Sequence, residues 1–412
     1  MSNLFIKNVR TWTPTGFKTQ DIELHNENTE SPLEIDGTGK YWLPPLVELF
    51  ADFKEPGLEH IYSLHEGAEA MLSGGFGSVI LDPNTHPVAD QQEVIQWIQT
   101  QTQKLELDIY PCGALTKDQK GVHLAEMSSM QSEGAQFFSN GVRPMPTAPI
   151  LRSVFEYAKQ LDVELMVFPW QQDICGSGLV HEDSLSSILG LQGWPSAAER
   201  ISVMTALELA ELTGVKLHLR QLTLASSIEL VERYQKKGVK VSFDVNPAHI
   251  HRNNEHLLKL DVNDKIIPPL RGIKDQLEVY ELFQQGRIPI LSSQHRPVLP
   301  EFKNEAFGDS KPGNLSLELC LPNFIQISDD KEKILNQFII SHSHNPSIKL
   351  GKKSAFEIKG SYAGFLWDPE SVQEVNAGTF AGNVDNSNEL GNILKWKVEA
   401  AYLNNSFKMP IK

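Results

Sequence analysis

From about residue 43 the chain alternates short apolar runs with longer stretches of helical period. The runs "PLVELFAD", "FGSVILD", "DIYPCGAL", "AQFFSN", "VELMVFPW", "VKLHLRQL", "VKVSFDV" and "IPILSSQ" are rich in Val, Ile, Leu and Phe. Most show little period-two alternation, which is how strands covered on both faces read. Between them, "SAAERISVMTALELAELTG" places Ser196 in N-cap position, Glu199 three residues on and Gly214 at its close. That pattern predicts a helix with a capping box and a glycine stop. "LASSIELVERYQKKG" ends in Lys-Lys-Gly, the charge and turn residue of a helix C-terminus. Strands and helices in βα alternation predict an α/β chain, a (β/α)8 TIM-type barrel over residues 44–349.

The two ends read differently. Residues 1–43 and 350–412 carry short alternating patterns joined by turn residues, as in "TQDIELHNEN" and "SAFEIKGSYAGFLWDPE". They predict a small β-sandwich domain built from both termini. With 412 residues, 40% of them hydrophobic and 22% charged, a sizeable core is expected and long disorder is not. A formal net charge of −15 argues against nucleic acid or an anionic membrane as partner. "MSNLFIKNVRTW" has no apolar core like a signal peptide's, and no run approaches the roughly eighteen apolar residues of a membrane span. Cys112, Cys175 and Cys320 are far apart and form no C-x-x-C, so free thiols in the cytoplasm are expected.

"FKEPGLEH", "AMLSGGFGSVILDPNTHP", "GALTK", "LAELTGVKLHLRQLT", "IIPPLR" and a late "DPE" follow one another in a fixed order. In that order and spacing the chain resembles the class I dihydroorotases of the amidohydrolase superfamily, over nearly its whole length. The resemblance implies zinc-assisted opening or closing of a cyclic amide, with ligands at the C-terminal ends of several barrel strands. At each implied position this chain departs. The His-x-His of the first strand is Phe50-Ala51-Asp52. On the fourth strand Asn140 and Gly141 replace the aspartate region, and on the fifth Phe168 stands for a histidine. On the sixth His218 is kept but Gln221 replaces its partner. On the eighth Gln294 stands for the catalytic aspartate and Val298 for a histidine. Phenylalanine offers a metal no lone pair, so no zinc or other cofactor and no catalytic residue are expected.

Substrate-binding places are partly kept: Lys54 and Asn84 stand where the family grips a carboxylate, although Lys54 lacks the guanidinium fork. Asn84 in "DPNTHP" is also ordinary turn chemistry, and Arg271 in "PPLR" reads as an ion-pair partner. His249 with His251, and His342 with His344, repeat the His-x-His spacing and read as loop or surface histidines. Ser292, Ser293 and His295 lack a nucleophile elbow. The expectation is a non-catalytic dihydroorotase-like protein of pyrimidine biosynthesis. The family resemblance implies a structural partnership with aspartate carbamoyltransferase in a homo- or hetero-oligomer. Two other readings stay open: an active cyclic-amide hydrolase with atypical ligands, and a small-molecule sensor using the pocket at Lys54 and Asn84.

Overall fold

The computed structural model describes residues 2–26 and 33–409. The N-terminal end forms β1 (Ser2–Thr13), β2 (Gly16–Asn26), β3 (Leu33–Asp36) and β4 (Tyr41–Leu43). β1 and β2 pair antiparallel from Ser2–Asn26 to Thr13–Gly16. The end of "TQDIELHNEN" lies outside the described residues.

The middle of the chain forms β5 (Leu46–Ala51), β6 (Phe76–Leu81), β7 (Asp108–Tyr110), β8 (Cys112–Gly113), β9 (Phe137–Phe138) and β10 (Glu164–Val167). β11 (Val180–His181), β12 (Gly193–Trp194), β13 (Lys216–Leu219) and β14 (Val241–Phe243) follow. All pair in parallel, in the orders β5-β6-β7 and β8-β9-β10-β13-β14, with β11 and β12 a separate pair. The ladder breaks between β7 and β8 at Pro111, which has no N–H to give. Every residue of β5 and β6 is buried, as apolar runs without alternation require. Helices such as Leu64–Ser73, Ala148–Leu161, Ser196–Thr213 and Ala225–Lys236 connect the strands, so the fold is α/β.

Two local expectations change. "IPILSSQ" makes only a parallel bridge, Leu291 to Val245, rather than a strand. Pro289 removes a donor at its start, and the Leu291 N–H donates instead to the Ser341 carbonyl at 2.9 Å. Beyond it the His295 carbonyl accepts from the Asp52 N–H at 2.9 Å, which brings this last segment beside the end of β5. The helix over 196–213 forms and closes on Gly214 at φ +69°, but Pro195 holds the N-cap and Glu199 makes no capping box. The Glu199 carboxylate turns into the interior and accepts from the Thr223 N–H at 3.1 Å and Arg271 at 3.3 Å. A buried charged donor is a stronger partner than a terminal amide.

The C-terminal end forms β15 (Glu357–Ile358) and β16 (Ser361–Tyr362), a hairpin, then β17 (Gly364–Glu374), β18 (Ile393–Leu403) and β19 (Ser406–Lys408). The termini share one seven-stranded sheet, ordered β19-β18-β17-β4-β1-β2 with β3 against β1. β18 and β2 are far apart in that order, yet the Tyr402 hydroxyl donates to the His25 carbonyl at 2.6 Å. The sheet therefore curls on itself, around a core that includes Leu4, Ile6, Ile22, Trp42, Leu366 and Tyr402. It docks on the α/β part at Gly75, where a Cβ would stand 2.5 Å from the Trp367 ring. Among the described residues no helix is long and apolar enough to cross a membrane.

Candidate functional site

The C-terminal ends of the parallel strands bring the singled-out residues together. Asp52, just past β5, is buried; Lys54 forms a short ion pair with it, Asn84 Nδ2 lies 3.2 Å from Oδ2, and Arg296 Nε lies 3.4 Å from the same oxygen. Burial alone would push the Asp52 carboxyl up, but the charges of Lys54 and Arg296 hold it below its usual range. Lys54 and Asn84 thus close on the chain's own carboxylate. Arg143 completes the cluster by donating to Asn84 Oδ1 at 3.2 Å. Outside it opens a cavity of about 570 Å³ lined by Lys54, Asn84, Arg143, Arg296 and Lys311 among others.

Most of the remaining positions are engaged in structure, although the buried Gln294 Nε2 has no hydrogen-bond partner among the described residues. Asn140 Oδ1 accepts from the Leu115 and Thr116 N–H groups at 3.0 and 3.1 Å, and its amide donates to Thr116 Oγ1 at 2.8 Å. Gly141 has φ +67°, and a Cβ there would stand 2.5 Å from Asp82 Oδ1, so no side chain fits without moving that carboxylate. Phe168 packs edge-on against Trp170, which in turn lies 5.1 Å from Trp194. Val298 is buried and donates its N–H to Asn386 at 2.9 Å. Gln221 and Gln294 both have left-handed backbone, φ +55° and +58°, which non-glycine residues rarely adopt. Gln221 donates to Asp244 from its N–H and its side chain, at 2.8 and 2.9 Å. His218 is tied at both ring nitrogens, to Ser242 Oγ and Asp244 Oδ2, each at 2.8 Å.

The histidine pairs do not converge. His249 and His251 lie on the single turn Ala248–His251, where burial pushes their pKa values down to about 3 and about 4. His249 is a buried neutral ring and His251 a half-buried one, because the turn packs against the interior. His342 is also buried, with Nδ1 3.6 Å from Cys320 Sγ, whereas His344 tilts against Trp12 at 5.6 Å. Ser292 and Ser293 both donate to Glu48, a fully buried carboxylate of β5, and not to His295. His295 Nδ1 accepts from the Ser316 and Leu317 N–H groups at 3.2 and 3.3 Å, which leaves the ring proton on Nε2. The three thiols are buried, and burial pushes each above its ordinary range. Arg271 is a buried ion-pair partner of Glu199 at 3.3 Å.

The strand ends hold charges the sequence reading passed over. Arg220 is wholly buried beside Gln221, its guanidinium carbon 3.0 Å from the centroid of the Phe50 ring. Glu48, Asp82 and Asp244 are buried around it and act on its charge. Burial and the charge of Asp52 raise the Asp82 pKa to about 6. The signal was present: each of these residues is a charge inside an apolar run, in "LVELFA", "SVILD", "LHLRQL" and "VSFDV". Among the described residues no three His, Cys, Asp or Glu side chains group so as to hold a metal ion.

A family model described as dihydro-orotase-like matches residues 39–226. The dihydroorotase of Carboxydothermus hydrogenoformans is 31% identical over 387 residues, covering 92% of this chain and 90% of its own. That of Pelotomaculum thermopropionicum is 31% identical over 371 residues, covering 89% and 87%. Among solved structures, the L-hydantoinase (dihydropyrimidinase) of Arthrobacter aurescens superposes with a TM-score of 0.86 at 18% identity, over 100% of this chain and 96% of that one. The D-hydantoinase of a Thermus species superposes at 0.76 with 16% identity, over 99% and 95%. At those identities the superpositions speak for the fold alone. The sequence matches, running through nearly the whole of both chains, place this protein in the dihydroorotase-like family.

Proposed function

We propose that this chain is a dihydroorotase-like protein of pyrimidine biosynthesis that has lost the reaction and serves as a structural partner of aspartate carbamoyltransferase. We read its parallel strands as a closed (β/α)8 barrel over residues 44–349, with residues 1–43 and 350–412 forming a sandwich-like domain. The observation that carries the functional reading is the fate of the strand ends. Phe50 and Phe168 have no lone pair for a metal, Gln221 and Asn140 are spent on the interior, and Asp52 is bound by Lys54 and Asn84. Zinc needs at least three N, O or S donors on one point, and these residues do not fit it. No proton-shuttling carboxylate stands at Gln294.

The scaffold supports the same reading. Gln221 and Gln294 keep a left-handed backbone that serves no chemistry of their own side chains. Ile201, Met204 and Leu212 are exposed along one arc of the helix Ser196–Thr213, a stripe broken by the exposed Glu208, which we read as the contact face. The test has two parts. Protein purified without chelator should carry substoichiometric zinc and show no turnover of dihydroorotate or carbamoyl aspartate, and it should co-migrate with the aspartate carbamoyltransferase of its own organism on a sizing column. Turnover at any metal supplementation would restore the reading of an active cyclic-amide hydrolase, and two separate peaks would end the partnership. The double variant Phe50→His/Asp52→His should remain inactive, because the other strand ends stay without ligands.

A second reading rests on the cavity of about 570 Å³, large enough for a small metabolite. Its lining cations suit a carboxylate, so the chain would act as a sensor. A thermal shift with dihydroorotate or carbamoyl aspartate, abolished by Asn84→Ala, would support it; no shift would set it aside.

A further inference from the structure

Among the described residues two arginines are buried, and they are held in opposite ways. Arg271 is fully bonded: Nε donates to Thr223 at 2.8 Å, Nη1 to the Trp194 carbonyl at 3.2 Å, and Nη2 lies 3.3 Å from Glu199. Arg220 is no more exposed, yet among the described residues Nε, Nη1 and Nη2 have no hydrogen-bond acceptor. Only its backbone is fixed, by an N–H that donates to the Val167 carbonyl at 2.9 Å. A buried guanidinium without a bonded carboxylate is costly unless something else holds its charge.

Two features do so. The Phe50 ring presents its negative face to the guanidinium at 3.0 Å. Around the pair stand three buried carboxylates from different strands: Glu48 on β5, Asp82 past β6 and Asp244 past β14. Glu48 has hydroxyl donors in Ser292 and Ser293, and Asp244 has His218 and Gln221. Among the described residues Asp82 accepts only the Asn84 N–H, at 3.1 Å, so it depends on charge at a distance. A divalent ion needs three or more donors on one point, and among the described residues no three His, Cys, Asp or Glu side chains converge so. A guanidinium spreads its charge over a plane and stacks on a ring that no metal could use.

We propose that the Arg220 guanidinium, stacked on Phe50, is the resident cation of the strand-end carboxylate cluster. The proposal deepens the non-catalytic reading and rests on it.

A double-mutant cycle on the full chain tests it. Arg220→Met keeps length and apolar volume but takes from Asp82, Asp244 and Glu48 a cation that acts on all three, and should lower Tm by on the order of 5 °C. Adding Asp82→Asn should restore at least half of that loss, and Arg220→Lys should fall between Arg and Met. An Arg220→Met protein as stable as its parent, or a double variant showing no coupling, would overturn the inference. If Arg220→Met does not fold, the parent chain still decides: titrated with Zn²⁺ or Mn²⁺ and passed over a desalting column, it should retain no ion and show no shift in Tm. A retained ion without turnover overturns this inference alone, whereas turnover by the metal-free chain overturns only the non-catalytic reading.

Discussion

Asp52 does more than fail to be a histidine. Its carboxylate sits between Lys54, Asn84 and Arg296, filling a cradle for an anion with the chain's own side chain. Asp52→Ala should leave the buried Lys54 and the half-buried Arg296 without their carboxylate and cost about 3 kcal/mol. Added acetate or carbamoyl aspartate should return part of that loss; denaturant unfolding with and without the anion checks it, and equal curves would show that the cradle is not open to solutes. A second residue-scale prediction concerns Glu318, whose carboxylate is buried with one oxygen bonded to the Ala381 N–H at 3.2 Å and the other unpartnered. Burial raises its pKa to about 7. A carboxyl raised in the folded state binds its proton more tightly than in the unfolded chain. Its stability contribution is therefore full below the unfolded pKa and is lost as pH rises through 7. Glu318→Gln removes that loss, so the variant should gain on its parent between pH 5 and 8, by on the order of 3 kcal/mol at the upper end. Parallel unfolding curves across that range would contradict it.

At the scale of elements, the turn after β5 is fixed by one glycine. Gly57 has φ +88°, and a Cβ would stand 1.7 Å from the His86 carbonyl oxygen, so the two strand-end loops touch backbone to backbone. Gly57→Ala should cost at least about 3 kcal/mol. Gly351→Ala, at φ +76° with open space around it, should cost about 1 kcal/mol. Urea midpoints of the two variants compare the costs directly. The strands were legible because burial on both faces leaves an unbroken apolar run, and seven of the eight quoted runs hold a ladder strand. "IPILSSQ" did not become one, since its apolar character reports burial and not the destination of its N–H groups. The site was legible only by subtraction, as places where Phe50, Phe168 and Gln221 stand instead of the histidines that the resemblance implies. That Phe50 meets Arg220, and that Asp52 meets Arg296, depends on side chains brought together from strands far apart in sequence. No local pattern encodes those meetings.

For the whole molecule, the exposed stripe on the helix Ser196–Thr213 yields the sharpest prediction about assembly. Leu212→Glu places a charge on an exposed position and should leave Tm within about 1 °C of the parent. It should nevertheless abolish co-migration with aspartate carbamoyltransferase if that face makes the contact; an unchanged elution profile would move the search to another face. The shared terminal sheet has a consequence of a different kind, one of timing. β4 lies between β1 and β17, and its partner on one side begins about 320 residues after β4 ends. At about 5–20 residues per second of synthesis, the nascent chain carries β4 with an open edge for some 15–60 s. Through that interval Trp42 and Leu43, both fully buried in the finished protein, have no β17 to cover them. The ribosome thus delivers the first strands of this protein long before the last can receive them. A message truncated before β17 would release a chain whose β4 edge stays uncovered, the kind of margin on which chains associate.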